Sequence, residues 1–169
     1  MAKENYKLLV NECCNRLPYG VWVDLNGIRG KLNEIKIHHF FHDTNSVQDI
    51  KAYTDFFQDN EPIEICNFKL CLRPMSSMTD KEKKDLLARI VGKDAVKYFQ
   101  VLEDGSIDNT DAEHQDLYNF SMHWINFNGS NTTSYIDWLN AHHFDYRGLI
   151  EKGLAIDSTD LGIYGNFGE

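Results

Sequence analysis

No apolar run in this sequence approaches the roughly 20 residues that a membrane-spanning helix requires. The N-terminal stretch MAKENYKLLVNECC has no uninterrupted apolar core followed by a small-residue cleavage site, so it does not read as a secretory signal. These two absences predict a soluble protein of the cytoplasm. Cys13, Cys14, Cys66 and Cys71 are then expected as thiols, since a reducing compartment does not maintain a disulfide framework. The triplet Asn131-Thr132-Thr133 carries no glycan meaning there.

Positive charge is also in short supply. Lys and Arg number 17 against 26 Asp and Glu, a formal net charge of −9. Such a balance disfavours a surface that tracks phosphates by counterion release, so direct nucleic-acid binding is not expected. The nearest basic cluster, Lys81, Lys83 and Lys84, is interleaved with Glu82 and Asp85 and reads as the solvated face of a helix. A protein mimic of DNA is disfavoured too, because acids and bases are interspersed throughout rather than segregated into acidic rows.

Repeats and low-complexity tracts are missing, and 169 residues suffice for a real hydrophobic core. A single domain spanning 1–169 is the expectation, with 157–169 a glycine-rich tail that either frays or adds an edge strand. Neither Gly-x-Ser-x-Gly nor a glycine-rich phosphate loop is present. The acidic stretch around Asp104, Asp108, Asp111 and Glu113 lacks the alternating oxygen ligands and central glycine of a calcium loop.

What is present is a readable alternation of helical and extended patterns. Tyr6, Leu9, Val10, Cys13 and Leu17 recur at spacings of three and four, predicting an amphipathic helix over 4–16 that Pro18 ends. Val21, Val23 and Leu25 alternate, Asn26-Gly27 supplies a hairpin turn, and Leu32, Ile35 and Ile37 resume the alternation. Ser46, followed by Ile50, Tyr53, Phe56 and Phe57, suggests a short helix. Phe68, Leu70 and Leu72 alternate in a strand within 63–72 that Arg73-Pro74 breaks.

Thr79 and Glu82 form the clearest capping box, opening a helix with a stripe of Leu86, Leu87, Ile90 and Val91 and stopping at Gly92. The segment 94–103 fits either pattern, EDGSIDNTDAE reads as a loop, and YNFSMHW at 118–124 alternates as a strand. Strands early and helices late, without regular βαβ alternation, imply an α+β fold. Its specific form is expected to be a small curved antiparallel sheet or SH3-like barrel packed by several short helices.

Two clusters invite a chemical reading. HHFFHD, at 38–43, contains three histidines, but on a strand His38 and His42 lie about 13 Å apart at roughly 3.3 Å per residue and cannot share one metal ion. The four cysteines have no matching second pair at zinc-site spacing and read best as buried structural thiols. No metal, cofactor or catalytic residue is therefore assigned.

The second cluster is DWLNAHHFDYRGLIEKGLAI, at 137–156. Ser134 begins a capping signal, after which Ile136, Leu139 and His143 line one helical face and Trp138 and His142 another. His142 and His143 fall in the last turn, near the helix C-terminal carbonyls. Asp145 then caps a second short helix, with Phe144 and Leu149 as a hydrophobic staple and Gly153 at its end. This helical corner explains most of the conspicuous residues structurally. Trp138, His142, His143, Tyr146 and Arg147 remain the candidate binding residues, and His142, Tyr146 and Arg147 are those the corner does not itself require.

RLPYGV at 16–21, LRPMSSMT at 72–79 and the 137–156 block, in that order, resemble a family of uncharacterised small proteins of bacteriophages and prophages of Bacteroides-type bacteria. The resemblance covers these blocks and not residues 38–66 or 94–134. It implies a mobile-element protein of the bacterial cytoplasm and carries no activity, cofactor or site residue with it.

Together these readings favour a non-enzymatic interaction protein that binds a host or phage macromolecule, a protein or ribonucleoprotein, with inhibition of a host defence complex as one version. One alternative is a small metal-dependent enzyme acting on nucleic acid or nucleotide through His38, His42, His142, His143 and nearby acids. The other is a small RNA-binding barrel.

Overall fold

A computed structural model describes residues 2–42, 45–55, 62–110 and 130–164, with the side chains of 37–49 and 130–132 outside the description. The chain divides into two compact units. Unit 1 comprises Met1–Leu72 and Gly148–Ser158, and unit 2 comprises Arg73–Arg147 and Thr159–Glu169. Each has its own hydrophobic cluster, where one continuous core was the simplest expectation for this length.

Unit 1 begins with α1, Lys3–Arg16. Its buried stripe is Leu9, Glu12, Cys13 and Arg16, so two charged residues share the face that the apolar spacing marks out. They tolerate burial by pairing. Arg16 Nε and Nη2 donate to Glu12 Oε2 at 3.1 and 3.0 Å, with both side chains fully buried. Pro18 lies at the start of a 3-10 turn over Leu17–Tyr19, and Gly20, at φ 69°, turns the chain into the sheet.

Strand β1, Trp22–Leu25, and strand β2, Ile28–His42, form the expected hairpin through Asn26-Gly27. Positive φ at both central residues, 54° and 91°, matches the twist of the flanking strands. β2 continues into a long antiparallel ribbon with β3, Asn45–Thr54, in the register Ile35↔Ala52, His38↔Asp49 and His42↔Asn45. Residues 46–54 are therefore a strand, not the helix that Ser46 suggests. Ile50, Ala52 and Thr54 are buried while Lys51 and Tyr53 are half-buried, a period of two that pairing with β2 rewards and a helix would scramble. Phe56 and Phe57 lie outside the described residues.

The predicted strand over 63–72 is interrupted. β4 covers Ile63–Glu64 and β5 covers Lys69–Leu72, with a 3-10 turn at Ile65–Asn67 between them. β5 runs antiparallel to β1 and parallel to β8, Ala155–Asp157. The sheet order is β4-β3-β2-β1-β5-β8. The fold is thus α+β, but its sheet is mixed and open rather than an SH3-like barrel. No pairing joins the edge strands β4 and β8 among the described residues. The glycine-rich tail supplies no strand among the described residues: β8 precedes it, Thr159–Leu161 is a 3-10 turn, and 165–169 lie outside the described residues.

Before β8, residues 149–153 close a single helical turn. Gly153 N donates to Ile150 O at 3.0 Å and Leu154 N to Leu149 O at 2.9 Å, with Gly153 at φ 68°. This is a Schellman cap, with Leu149 and Leu154 both in the unit 1 core.

Unit 2 carries α2, Asp80–Ile90, opened by the capping box that Thr79 and Glu82 announce. Its buried residues are Glu82, Leu86, Leu87 and Ile90, and Val91 packs at the margin. β6, Phe99–Val101, pairs antiparallel with β7, Ile107–Asn109, so the acidic stretch expected to be loop contributes a strand. Its hairpin turn is built by Asp104, whose Oδ1 accepts from Ser106 N at 2.9 Å and Ser106 Oγ at 2.6 Å. The strand predicted at 118–124 lies outside the described residues. α3, Ser130–Ala141, begins ahead of the capping signal at Ser134. Its Trp138 and Leu139 join Leu86, Leu87, Phe99, Val101 and Phe144 in the core of the unit.

Candidate functional site

The corner after α3 is held by its backbone. His143 N donates to Asn140 O at 3.1 Å and Phe144 N to Leu139 O at 3.0 Å, a Schellman pattern with His143 at the left-handed position, φ 61°. Glycine usually occupies that position, because a Cβ there costs about 1 kcal/mol or more. The His143 ring is buried and stacks on Tyr164 at 3.9 Å and 16°. A stack of this kind contributes roughly 0.5–1.5 kcal/mol beyond its buried area, enough to offset the backbone strain.

His142 takes a different course. Its Nδ1 lies 2.9 Å from Trp138 O, and since a carbonyl only accepts, Nδ1 carries the hydrogen. The imidazole also stacks on Trp138 at 3.9 Å, which fulfils the expectation that these two share a helical face. Trp138 is itself buried, packs against Phe144 at 5.8 Å and donates Nε1–H to Asp85 Oδ2 at 2.8 Å.

Phe144 and Asp145 do not enter a second helix. Arg73 N donates to His143 O at 2.9 Å and Asp145 N to Arg73 O at 2.7 Å, a short parallel bridge that keeps this stretch extended. Phe144 belongs to the unit 2 cluster and Leu149 to that of unit 1. Gly148, left-handed at φ 65°, interrupts the helix that Asp145 would cap, and the single turn at 149–153 is all that remains of it.

Arg73 is the residue around which the corner is organised. Its guanidinium lies 4.3 Å from the centre of the Phe144 ring. It donates to Glu82 Oε1 at 2.7 Å, to Glu82 Oε2 at 3.0 Å and to Ser77 O at 3.2 Å. Glu82 Oε2 also accepts from Thr79 N and Thr79 Oγ1, each at 2.8 Å. Burial alone would raise the Glu82 carboxyl, but the bonds from Arg73 and Thr79 outweigh it and hold the group below the ordinary carboxylate range.

Of the five candidate binding residues, Trp138 and His143 are buried and serve the packing of unit 2, and His142 is half-buried against Trp138. Tyr146 is half-buried and Arg147 exposed, with the guanidinium 5.5 Å from the Tyr146 ring centre. Tyr135 from α3 donates to Gly105 O at 3.4 Å. Burial raises its phenol, and the nearby Asp104 and Tyr146 raise it further. Arg73, Glu82, Asp85 and Tyr164 were not marked as partners of the corner by their spacing. The one available signal was Arg73 itself, a cation directly after the apolar Leu70, Cys71 and Leu72 that end β5.

The other clusters separate. His38, His39 and His42 lie on β2, as the alternation implies, with side chains outside the described residues. Among the described residues no group of three His, Cys, Asp or Glu is placed to hold a metal ion. Cys13 and Cys71 are buried, whereas Cys14 and Cys66 are exposed, which corrects the expectation that all four are structural core thiols. Burial pushes the Cys71 thiol up to about 12 and the Cys13 thiol higher still, which removes both as nucleophiles. No helix among the described residues is long and apolar enough to cross a membrane.

These features define an α+β protein of two compact units, in which a helix-end corner is fixed by a buried arginine and leads to Tyr146, half-buried against the unit 2 core, and to the exposed Arg147. Comparison with protein-family models, with curated proteins and with solved structures gives no match for this chain.

Proposed function

We propose that the protein acts by binding another macromolecule rather than by catalysis, and that Tyr146 and Arg147 are contact residues. The observation that carries this reading is their placement immediately after Asp145, whose backbone is tied to Arg73 at 2.7 Å. A Tyr–Arg pair on a rigid support loses little conformational freedom on binding, and both types are enriched among residues that dominate interface energies. The net charge of −9 favours a partner with a basic face.

The resemblance in RLPYGV, LRPMSSMT and the 137–156 block supports a setting in the bacterial cytoplasm during phage or prophage life. The partner is then a host or phage protein or ribonucleoprotein, and blocking a host defence complex is one form the activity takes. Affinity capture from bacterial lysate, with and without phage infection, tests the reading when wild type is compared with Tyr146→Ala and Arg147→Glu. A partner identified by mass spectrometry that wild type retains, and that both variants lose by about tenfold or more, supports it. Equal capture by folded variants removes these residues from the interface, and no partner above background at micromolar bait counts against a binding role.

A further inference from the structure

We propose that Thr159–Tyr164 forms a strap that closes over His143 and opens without unfolding of unit 2. This rests on the reading of the corner as a binding surface, because an open strap adds an accessible imidazole three residues from Tyr146. The closing contact is specific: the Tyr164 ring covers His143 at 3.9 Å and 16°.

The two sides of that contact are built differently. His143 is positioned by the Schellman bonds of α3, His143 N to Asn140 O and Phe144 N to Leu139 O, which do not involve the strap. Its direction is therefore set whether or not Tyr164 is seated. Trp138, Leu139 and Phe144 beside it are core residues of the unit, 0–3% exposed. In the strap, by contrast, Thr159, Asp160 and Gly162 are exposed and Leu161, Ile163 and Tyr164 half-buried. Gly162, two residues before Tyr164 and already at φ 63°, makes backbone rotation on that side of the ring sterically cheap. Opening this segment uncovers little of the core, and segments of that kind open far more often than the whole domain unfolds.

Diethyl pyrocarbonate labelling of the intact chain, with modification of His143 located by peptide mass spectrometry, tests the strap directly. In wild type, His143 is expected to react at a rate that does not change with urea below the main unfolding transition. Tyr164→Gly should raise that rate by about tenfold while lowering the main urea midpoint by less than about 1 M, and Tyr164→Phe, which keeps the stack, should stay within about twofold of wild type. The proposal is overturned if His143 reacts only in proportion to global unfolding, if Tyr164→Gly leaves its rate unchanged, or if that variant lowers the main midpoint by more than about 1 M. Labelling needs no partner. A positive result beside a failed affinity capture would leave the strap intact and refute only the corner as a binding surface.

Discussion

Replacing Arg73 by Met removes the cation against which Glu82, Ser77 and Phe144 are assembled. The side chains of Arg73 and Glu82 are only 10% and 4% exposed, which places the pair among buried ion pairs rather than surface ones. An exposed pair contributes about 0–1 kcal/mol, whereas removing one partner of a buried pair costs about 3–5 kcal/mol because the other charge stays behind. Methionine fills much of the vacated volume, so the cavity contribution is minor. We expect a loss of about 3–5 kcal/mol at neutral pH, which at an m-value of about 2 kcal/mol per M lowers the urea midpoint by about 2 M.

The pH dependence makes this test specific. Glu82 titrates below its ordinary value of 4.5 in the folded protein, so its contribution is fully present above about pH 4.5 and is lost as pH falls through the depressed folded value. In Arg73→Met the buried Glu82 loses its main lowering partner and titrates higher, so the stability gap should begin to narrow at that raised value and go on narrowing as pH falls through the depressed value of the wild type. Urea unfolding at several pH values, followed by circular dichroism and by tryptophan fluorescence, measures it. Glu82→Gln completes a double-mutant cycle that keeps a capping-box acceptor and removes the charge. A neutral-pH loss below about 1 kcal/mol, or a gap independent of pH, would refute the arginine-centred account of the corner.

Three further outcomes follow from the same contacts. Ellman's reagent at mildly alkaline pH should modify Cys14 and Cys66 in the native protein and reach Cys13 and Cys71 only after denaturation; four equally fast thiols would contradict their burial. His143→Ala should be less stable than His143→Gly by about 1 kcal/mol in chemical unfolding, because both lose the ring but only alanine retains the strained Cβ at φ 61°. Trp138→Phe keeps most of the apolar packing and loses the indole bond to Asp85, so it should cost about 1 kcal/mol; Asp85→Ala then has no further effect in the Trp138→Phe background if that bond is their main coupling.

Local signals with a backbone mechanism were the legible part of the sequence. Asn26-Gly27 places positive φ where a hairpin requires it, and Thr79 with Glu82 completes a capping box visible in the order of residues alone. The failures occur where a distant partner decides between two locally acceptable states. Ser46 offers a helix start, but β2 supplies a complete ladder for residues 45–54. Asp145 offers another, but the stretch up to it pairs with Arg73, 72 residues away in the chain, and Gly148 turns left-handed just beyond it. The same applies to the candidate site: Trp138 and His142 were paired correctly by helical spacing, while Tyr164 and Arg73 meet the corner through contacts that no spacing encodes.

The buried charges sharpen what the three resembling blocks imply. RLPYGV begins with Arg16, fully buried on Glu12, and LRPMSSMT carries Arg73, buried on Glu82. In each case a strongly solvated side chain is withdrawn from water and anchored by a carboxylate, an arrangement that fixes where a helix or strand end must lie. Folding therefore accounts for the arginines of the first two blocks. The third block also spends Trp138, His143 and Phe144 on packing, but it leaves Arg147 exposed beside Tyr146. In the proposed binding role, contact is then expected to depend on Tyr146 and Arg147 rather than on the more conspicuous paired histidines. Substituting Arg147 should alter partner capture without altering stability, whereas substituting Arg16 or Arg73 should do the reverse at the first measurable step, by unfolding the unit that each one anchors.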